Sequence, residues 1–236
     1  MLYVVSTPIG NLQDITLRAI EVLKTCDIIF CEDTRITKVL ALHVGSNAKL
    51  VRYNEQDDNS IKNCINFLKK GVPCALVSDN GTPCVSDPGY KIVAGAREEG
   101  IKVQVIPGAS AVTAGLALSG MPAGSFIFLG FLPRKSGKIK TLLESAKNFC
   151  KTVVIYESPH RILKLLEMVT EIFGTDANIS VSREITKAYE ETVRGNAEEV
   201  LKNFQARKKI LGEFVLIIEA PEKEKRVKVN KYDKNT

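Results

Sequence analysis

Leu2-Tyr3-Val4-Val5-Ser6-Thr7-Pro8-Ile9-Gly10-Asn11 is the stretch that decides the fold. Its first four residues are apolar without alternation, which is how a strand reads when both of its faces are covered. A polar loop with a glycine follows, and an amphipathic helix is predicted from about Thr16 to Lys24. The same unit recurs along the first half. Ile28–Cys31 leads to a helix from Thr34, Lys49–Arg52 to a helix near Ile61–Lys70, and Cys74–Val77 to a helix near Tyr90–Glu99. Val103–Ile106 leads to the small-residue helix Ser110–Ser119. Repeated strand–helix alternation predicts an α/β fold with a parallel sheet.

Gly120-Met121-Pro122-Ala123-Gly124 interrupts this pattern. Glycine and proline punctuate structure, so residues 1–121 and 122–222 are expected to form separate α/β domains, followed by a basic tail at 223–236. Strands are expected at Phe126–Gly130, Thr152–Glu157, Asn178–Ser182, Tyr189–Arg194 and Phe214–Glu219. A helix runs to about Lys147, and another follows Pro159 with Ile162, Leu165, Leu166, Val169 and Ile172 on one face. Two of the later strands alternate with polar residues, so the second sheet should be mixed.

Ligands of open α/β sheets sit beyond the carboxyl ends of the strands. Four decorated loops fall there: Ser6–Asn11, Glu32-Asp33-Thr34-Arg35, Ser78-Asp79-Asn80-Gly81-Thr82-Pro83 and Pro107-Gly108-Ala109-Ser110-Ala111. One such loop is usually a turn or a cap, but four on one rim point to a ligand. Neither GxxxxGK[ST] nor a GxGxxG after the first strand occurs, which argues against nucleotide kinases and dinucleotide enzymes. His43, at a predicted helix end, and His160 are the two histidines in the chain, and no Ser-His-Asp set is recognisable around them. The six cysteines, at 26, 31, 64, 74, 84 and 150, have no zinc-like spacing and read as small buried hydrophobes in a reducing compartment. No metal is expected. A nucleoside-type cofactor, held by backbone groups and small side chains, fits what remains.

The 236 residues carry a formal charge of +6, which mildly favours a polyanionic partner. Much of the excess lies between Lys223 and Lys234, a segment that could grip phosphates or be a solvated terminus. The N-terminus has no signal-peptide pattern and no apolar run could span a membrane, so a cytoplasmic location is expected.

The opening run through Thr16, together with Glu-Asp-Thr-Arg at 32–35, Ser-Asp-Asn-Gly-Thr-Pro-Cys-Val-Ser-Asp-Pro-Gly at 78–89, Pro-Gly-Ala-Ser-Ala at 107–111, Glu-Ser-Pro-His-Arg at 157–161 and Arg-Glu-Ile-Thr-Lys at 183–187, resembles a known group. It is the ribosomal RNA small-subunit methyltransferase I family, within the tetrapyrrole methylase (class III methyltransferase) superfamily. That resemblance implies two α/β domains with S-adenosylmethionine between them, and a homodimer. It also implies methylation of a cytidine 2′-oxygen in the decoding centre of 16S ribosomal RNA, with the small ribosomal subunit as partner. Ile9, Asp79, Thr82, Ser110, Ala111 and Tyr156 would touch the cofactor. Asp79 could accept hydrogen bonds from it, and the helix opening at Ser110 offers free amides to its carboxylate.

A ribose hydroxyl is a poor acid, so a base or a stabilising cation should stand within reach of it. Glu157, Glu184 and Lys187 are the candidates for that role, with Arg35, His160 and Arg161 as RNA anchors. Asn54 stands where the family often has a histidine, and Asn80 and Ala109 replace an alanine and a proline. None of the three removes a charged group. The alternatives are a tetrapyrrole C-methyltransferase on the same fold and a non-catalytic ribosome-binding factor.

Overall fold

The structure is a computed structural model that describes residues 1–220. The basic tail predicted at 223–236 lies outside the described residues. The first sheet contains β1 (Leu2–Val5), β2 (Ile28–Cys31), β3 (Lys49–Arg52), β4 (Cys74–Leu76) and β5 (Val103–Ile106) in the order β3-β2-β4-β1-β5. Every pairing in it is parallel. The crossover helices are α1 (Leu17–Thr25), α2 (Thr34–Val44), α3 (Asp58–Lys69) and α4 (Tyr90–Glu98), and α5 (Ala111–Ser119) follows β5.

Caps written into the sequence set the helix ends. Thr16, Asp33 and Asp57 each accept a backbone N–H of the first turn. Gly45, at φ +71°, ends α2 in the left-handed conformation. Capped by Asp57, α3 starts at Asp58, three residues before the expected Ile61. Strands covered on both faces hold for β2 and β4, which are buried throughout. They do not hold for β3 and β5, the sheet's two edges. There Lys49, Arg52 and Gln104 face solvent and Val105 is 58% exposed, because an edge strand packs less completely and is blunted with polar side chains.

The second sheet is built from β6 (Phe126–Phe131), β7 (Thr152–Glu157), β8 (Asn178–Arg183), β9 (Glu191–Asn196) and β10 (Phe214–Ile218), in the order β6-β7-β10-β8-β9. β6 and β7 are parallel and the other pairs antiparallel, so the sheet is mixed, as the polar alternation predicts. Its helices are α6 (Ser136–Asn148), α7 (Ile162–Phe173) and α8 (Ala197–Gln205). β9 starts two residues after the expected Tyr189, because Glu184 and Thr186 adopt positive φ and use up the preceding residues in a tight turn.

Period-two alternation divides the second sheet between two cores. Val153 and Ile155 of β7, with Phe214, Leu216 and Ile218 of β10, pack under α6, α7 and α8. The alternate residues Val154, Val215 and Ile217 pack instead against Val112 and Leu116 of α5, with Ile9 and Ile185. Thus a helix from the first half of the chain covers the far face of the second sheet. Gly115 makes that approach possible, since a Cβ there would lie 2.8 Å from Val215 Cγ1.

Candidate active site

The carboxyl ends of β1, β4 and β5 are tied to one another by short hydrogen bonds. Thr7 N donates to the Gly81 carbonyl at 2.8 Å, and Gly81 N donates to Thr7 Oγ1 at 3.1 Å. The Ser6 and Thr82 hydroxyls lie 2.9 Å apart, and Thr82 Oγ1 donates to the Ala109 carbonyl at 3.2 Å. Gly81 sits at φ +87°, and a Cβ there would lie 3.2 Å from Ile9 Cγ2. These bonds fix the floor of an open cavity of about 860 Å³, its solvent-filled mouth included.

The cavity brings the two halves of the chain together. Ile9, Thr82, Ser110, Ala111 and Tyr156, five of the six positions implied for the cofactor, line it, and so do Glu157 and Lys187. Asp79 does not line it. Its side chain accepts the Asp33 amide at 3.4 Å, one residue before Asn80, which does face the cavity. Tyr156 stacks edge-on to Phe128, with centroids 4.9 Å apart. Burial, and then the charge of Asp87, push its phenol up to about 12.

Glu157 is buried and fully engaged. Ser158 N donates to its Oε1 at 2.8 Å, and Arg161 Nη2 lies 3.4 Å from its Oε2. The same Arg161 nitrogen donates to the carbonyls of Leu132 and Pro133 at 3.0 and 2.8 Å. Arg161, expected as an RNA anchor, is therefore committed to holding the β6–α6 loop. His160 is exposed, and Arg35 reaches into solvent while paired with Asp33. Lys187 Nζ bridges Glu184 Oε1 at 3.0 Å and Glu213 Oε2 at 2.9 Å. Burial opposes the Lys187 charge, but its two carboxylate partners outweigh burial and raise its pKa. Glu184 does not line the cavity and acts as a brace for Lys187.

Asp87, absent from the sequence-based candidates, is the carboxylate of the first half that faces the cavity. Burial first, and then Asp79, raise it to about 6. Cys84 and Ser86 beside it both hold φ +69°, an uncommon conformation for residues with a side chain. Glu55 clamps the end of this loop by accepting the amides of Gly89 and Lys91. Glu32 stands behind it, raised to about 7 by burial and then by Asp87, Asp79 and Glu55. Its Oε1 and the hydroxyl of Tyr53 are buried without hydrogen-bond partners. Among the described residues no group of three or more His, Cys, Asp or Glu side chains could hold a metal ion.

The family Tetrapyrrole (Corrin/Porphyrin) Methylases matches residues 1–201. Ribosomal RNA small subunit methyltransferase I of Halalkalibacterium halodurans is 47% identical over 219 residues, covering 92% of this chain and 75% of the relative. The protein of the same name from Thermotoga maritima is 42% identical over 222 residues, covering 94% and 99%. Among solved structures, uroporphyrin-III C-methyl transferase from Thermus thermophilus, complexed with S-adenyl homocysteine, superposes with a TM-score of 0.61 at 18% identity, over 92% of this chain and 96% of that one. With a parallel sheet whose loops meet a mixed sheet across one cavity, and with identity of this extent, the chain belongs to the ribosomal RNA small subunit methyltransferase I family of the tetrapyrrole methylases.

Proposed function

We propose that the chain transfers a methyl group from S-adenosylmethionine to the 2′-hydroxyl of a cytidine in the decoding centre of small-subunit ribosomal RNA, and that the two sheets mark two domains, 1–121 and 122–222. The observation that carries this reading is the cavity between the sheets. Its floor is stitched from three loops of the first sheet, and a carboxylate, Asp87, faces it with a pKa raised close to neutrality.

The residues present suit the cofactor. Ile9, Ala111 and Tyr156 give apolar walls for an adenosine, while Thr82 and Ser110 supply hydroxyls. Ser110 makes no capping bond of its own, so the start of α5 can receive a carboxylate beside the Tyr156 hydroxyl, toward which the Val112 amide is directed. S-adenosylmethionine, when bound, supplies an electrophilic methyl group. The chain must then hold the ribose oxygen in line with that methyl and accept its proton. Asp87 is the acceptor in this reading, because its raised pKa makes it a stronger base than an ordinary carboxylate while leaving it ionised at pH 7. Glu157, hydrogen-bonded through Oε1 and ion-paired through Oε2, orients Ser158 and Arg161. Lys187, held by Glu184 and Glu213, offers a fixed positive charge to the developing alkoxide.

The acids decide between RNA and a tetrapyrrole. Asp87, Glu157 and Glu213 all line the cavity, against one lysine already paired twice. A polycarboxylate would meet like charge there, whereas ribose hydroxyls donate to carboxylates. A pure binding factor would not need a half-buried, proton-hungry acid in a cavity. Titration with S-adenosylmethionine in the presence of a chelator should give one site per chain. Binding that requires added metal would overturn the cofactor assignment.

We also infer a homodimer acting in the cytoplasm. Ile36, Val39 and Leu42 form an exposed apolar stripe along α2, and Leu17 at the neighbouring α1 is 80% exposed. Sedimentation should give twice the chain mass, and Val39→Glu with Leu42→Glu should give monomers. A monomeric parent chain would contradict this.

A further inference from the structure

We propose that the loop before α6 and the first turns of α6 and α7 form a phosphate-binding ridge, which takes the RNA strand flanking the nucleotide held in the cavity. The inference rests on the RNA reading above and names the surface that reading lacks. Arg134 and Lys135 in the loop, Lys138 in the first turn of α6 and Lys164 in the first turn of α7 are all exposed. Among the described residues none of the four enters an ion pair, whereas Lys140, further along α6, is paired with Glu171 at 2.6 Å.

The ridge is fixed in shape and adjoins the active site. Arg161 holds the carbonyls of Leu132 and Pro133, so the basic loop does not swing freely. Arg134, Arg161 and Lys164 line a second hollow, and Glu157 lines both this hollow and the main cavity. One buried side chain thus separates the hollow that Arg134 and Lys164 line from the cavity, and Lys135 and Lys138 extend the ridge along the chain beside Arg134. Among the described residues Glu157 is the only acid lining the hollow, and it is neutralised by Arg161. Neither α6 nor α7 has an acid in its first turn or a side chain capping its first amides. Both helices run for twelve residues or more, so their dipoles add to the positive field. Although the first amide of α7 is already bonded to the Ser158 carbonyl, unpaired cations beside two helix starts that no side chain caps suit phosphate oxygens spaced along a strand.

The test uses the full chain and a fluorescein-labelled fragment of small-subunit ribosomal RNA containing the decoding region, with anisotropy followed as KCl is raised. The variant is Arg134→Ala/Lys135→Ala/Lys138→Ala/Lys164→Ala. Its charge-matched control, Lys24→Ala/Lys70→Ala/Arg97→Ala/Lys102→Ala, removes four exposed cations near the amino ends of the first sheet's strands. On a single strand, each phosphate released by the protein lowers the log–log salt slope by about 0.7. The slope of the ridge variant should therefore be shallower by about two to three, and its binding at physiological salt at least about tenfold weaker. Its S-adenosylmethionine affinity should stay that of the parent. A ridge variant with the parent's slope and affinity, or a control that weakens equally, overturns the ridge. A parent chain that methylates no RNA overturns the functional reading, and with it this inference.

Discussion

Replacing Asp87 by asparagine is expected to slow single-turnover methyl transfer by about 10²- to 10⁴-fold while leaving S-adenosylmethionine bound, because a positioned general base contributes on that scale. The substitution keeps the shape of the side chain but removes its capacity to take a proton. In the parent enzyme the rate should rise with pH through about 6, where the Asp87 carboxyl ionises, and the variant should lose that limb. Stability should move the other way. The folded state raises the pKa of Asp87 above its unfolded value, so it holds a proton that the unfolded chain has already released. That contribution to stability is present at low pH and is lost as pH rises through about 6. At pH 8 the half-buried charge costs roughly 1–3 kcal/mol, which asparagine would relieve, so Asp87→Asn should raise Tm at pH 8 and do little at pH 4. A variant that methylates at the parent rate removes Asp87 from the chemistry. One that loses activity and Tm together marks a structural role instead.

The second large effect is expected at Gly115. A Cβ there would lie 2.8 Å from Val215 Cγ1 and 3.3 Å from Val215 Cβ, both on a central strand of the second sheet that cannot move aside. Gly115→Val should therefore force α5 off that sheet and cost about 2–4 kcal/mol, at or above the usual range for overpacking. In a chain of this size that is about 5–10 °C in Tm. Because Ser110 and Ala111 open α5 and line the cavity, cofactor affinity should fall with it. Gly115→Ala should be milder, since its gain in helix propensity of about 1 kcal/mol offsets part of the clash. Gly124→Val, with no atom within 4 Å of the added Cβ, should leave Tm unchanged. If Gly115→Val melts like the parent, α5 does not pack where the structure puts it.

The first sheet is legible in the sequence because its inner strands, such as Cys74–Leu76, are buried on both faces and so read as unbroken apolar runs. The edge strands carry Lys49, Arg52 and Gln104, and there the same reading overstates the burial. The helix Ala197–Gln205 has no counterpart among the predicted elements although its signal is present: Asn196 caps the amide of Glu199 three residues on. Much of the cavity wall is reached through motif resemblance. Asp87 lies within the 78–89 block but is given no role there, because an aspartate in Ser-Asp-Pro-Gly looks like an ordinary turn residue. What sets it apart is burial beside Asp79 and Glu32, and that juxtaposition exists only once β2 and β4 lie next to each other. Arg161 fails in the opposite direction. Its sequence context suggests a free cation, but the fold commits its guanidinium to two carbonyls and a buried carboxylate.

The central claim is the identity of the atom that receives the methyl group. Incubating the chain with isotopically labelled S-adenosylmethionine and unmodified small-subunit ribosomal RNA or subunits, followed by nuclease digestion and mass spectrometry of the nucleosides, locates that atom. A single 2′-O-methylcytidine from the decoding region, formed at least about a hundredfold more slowly by Asp87→Asn, is the predicted result. Label on a base, label on no nucleoside, or label on uroporphyrinogen offered in the same tube would contradict it.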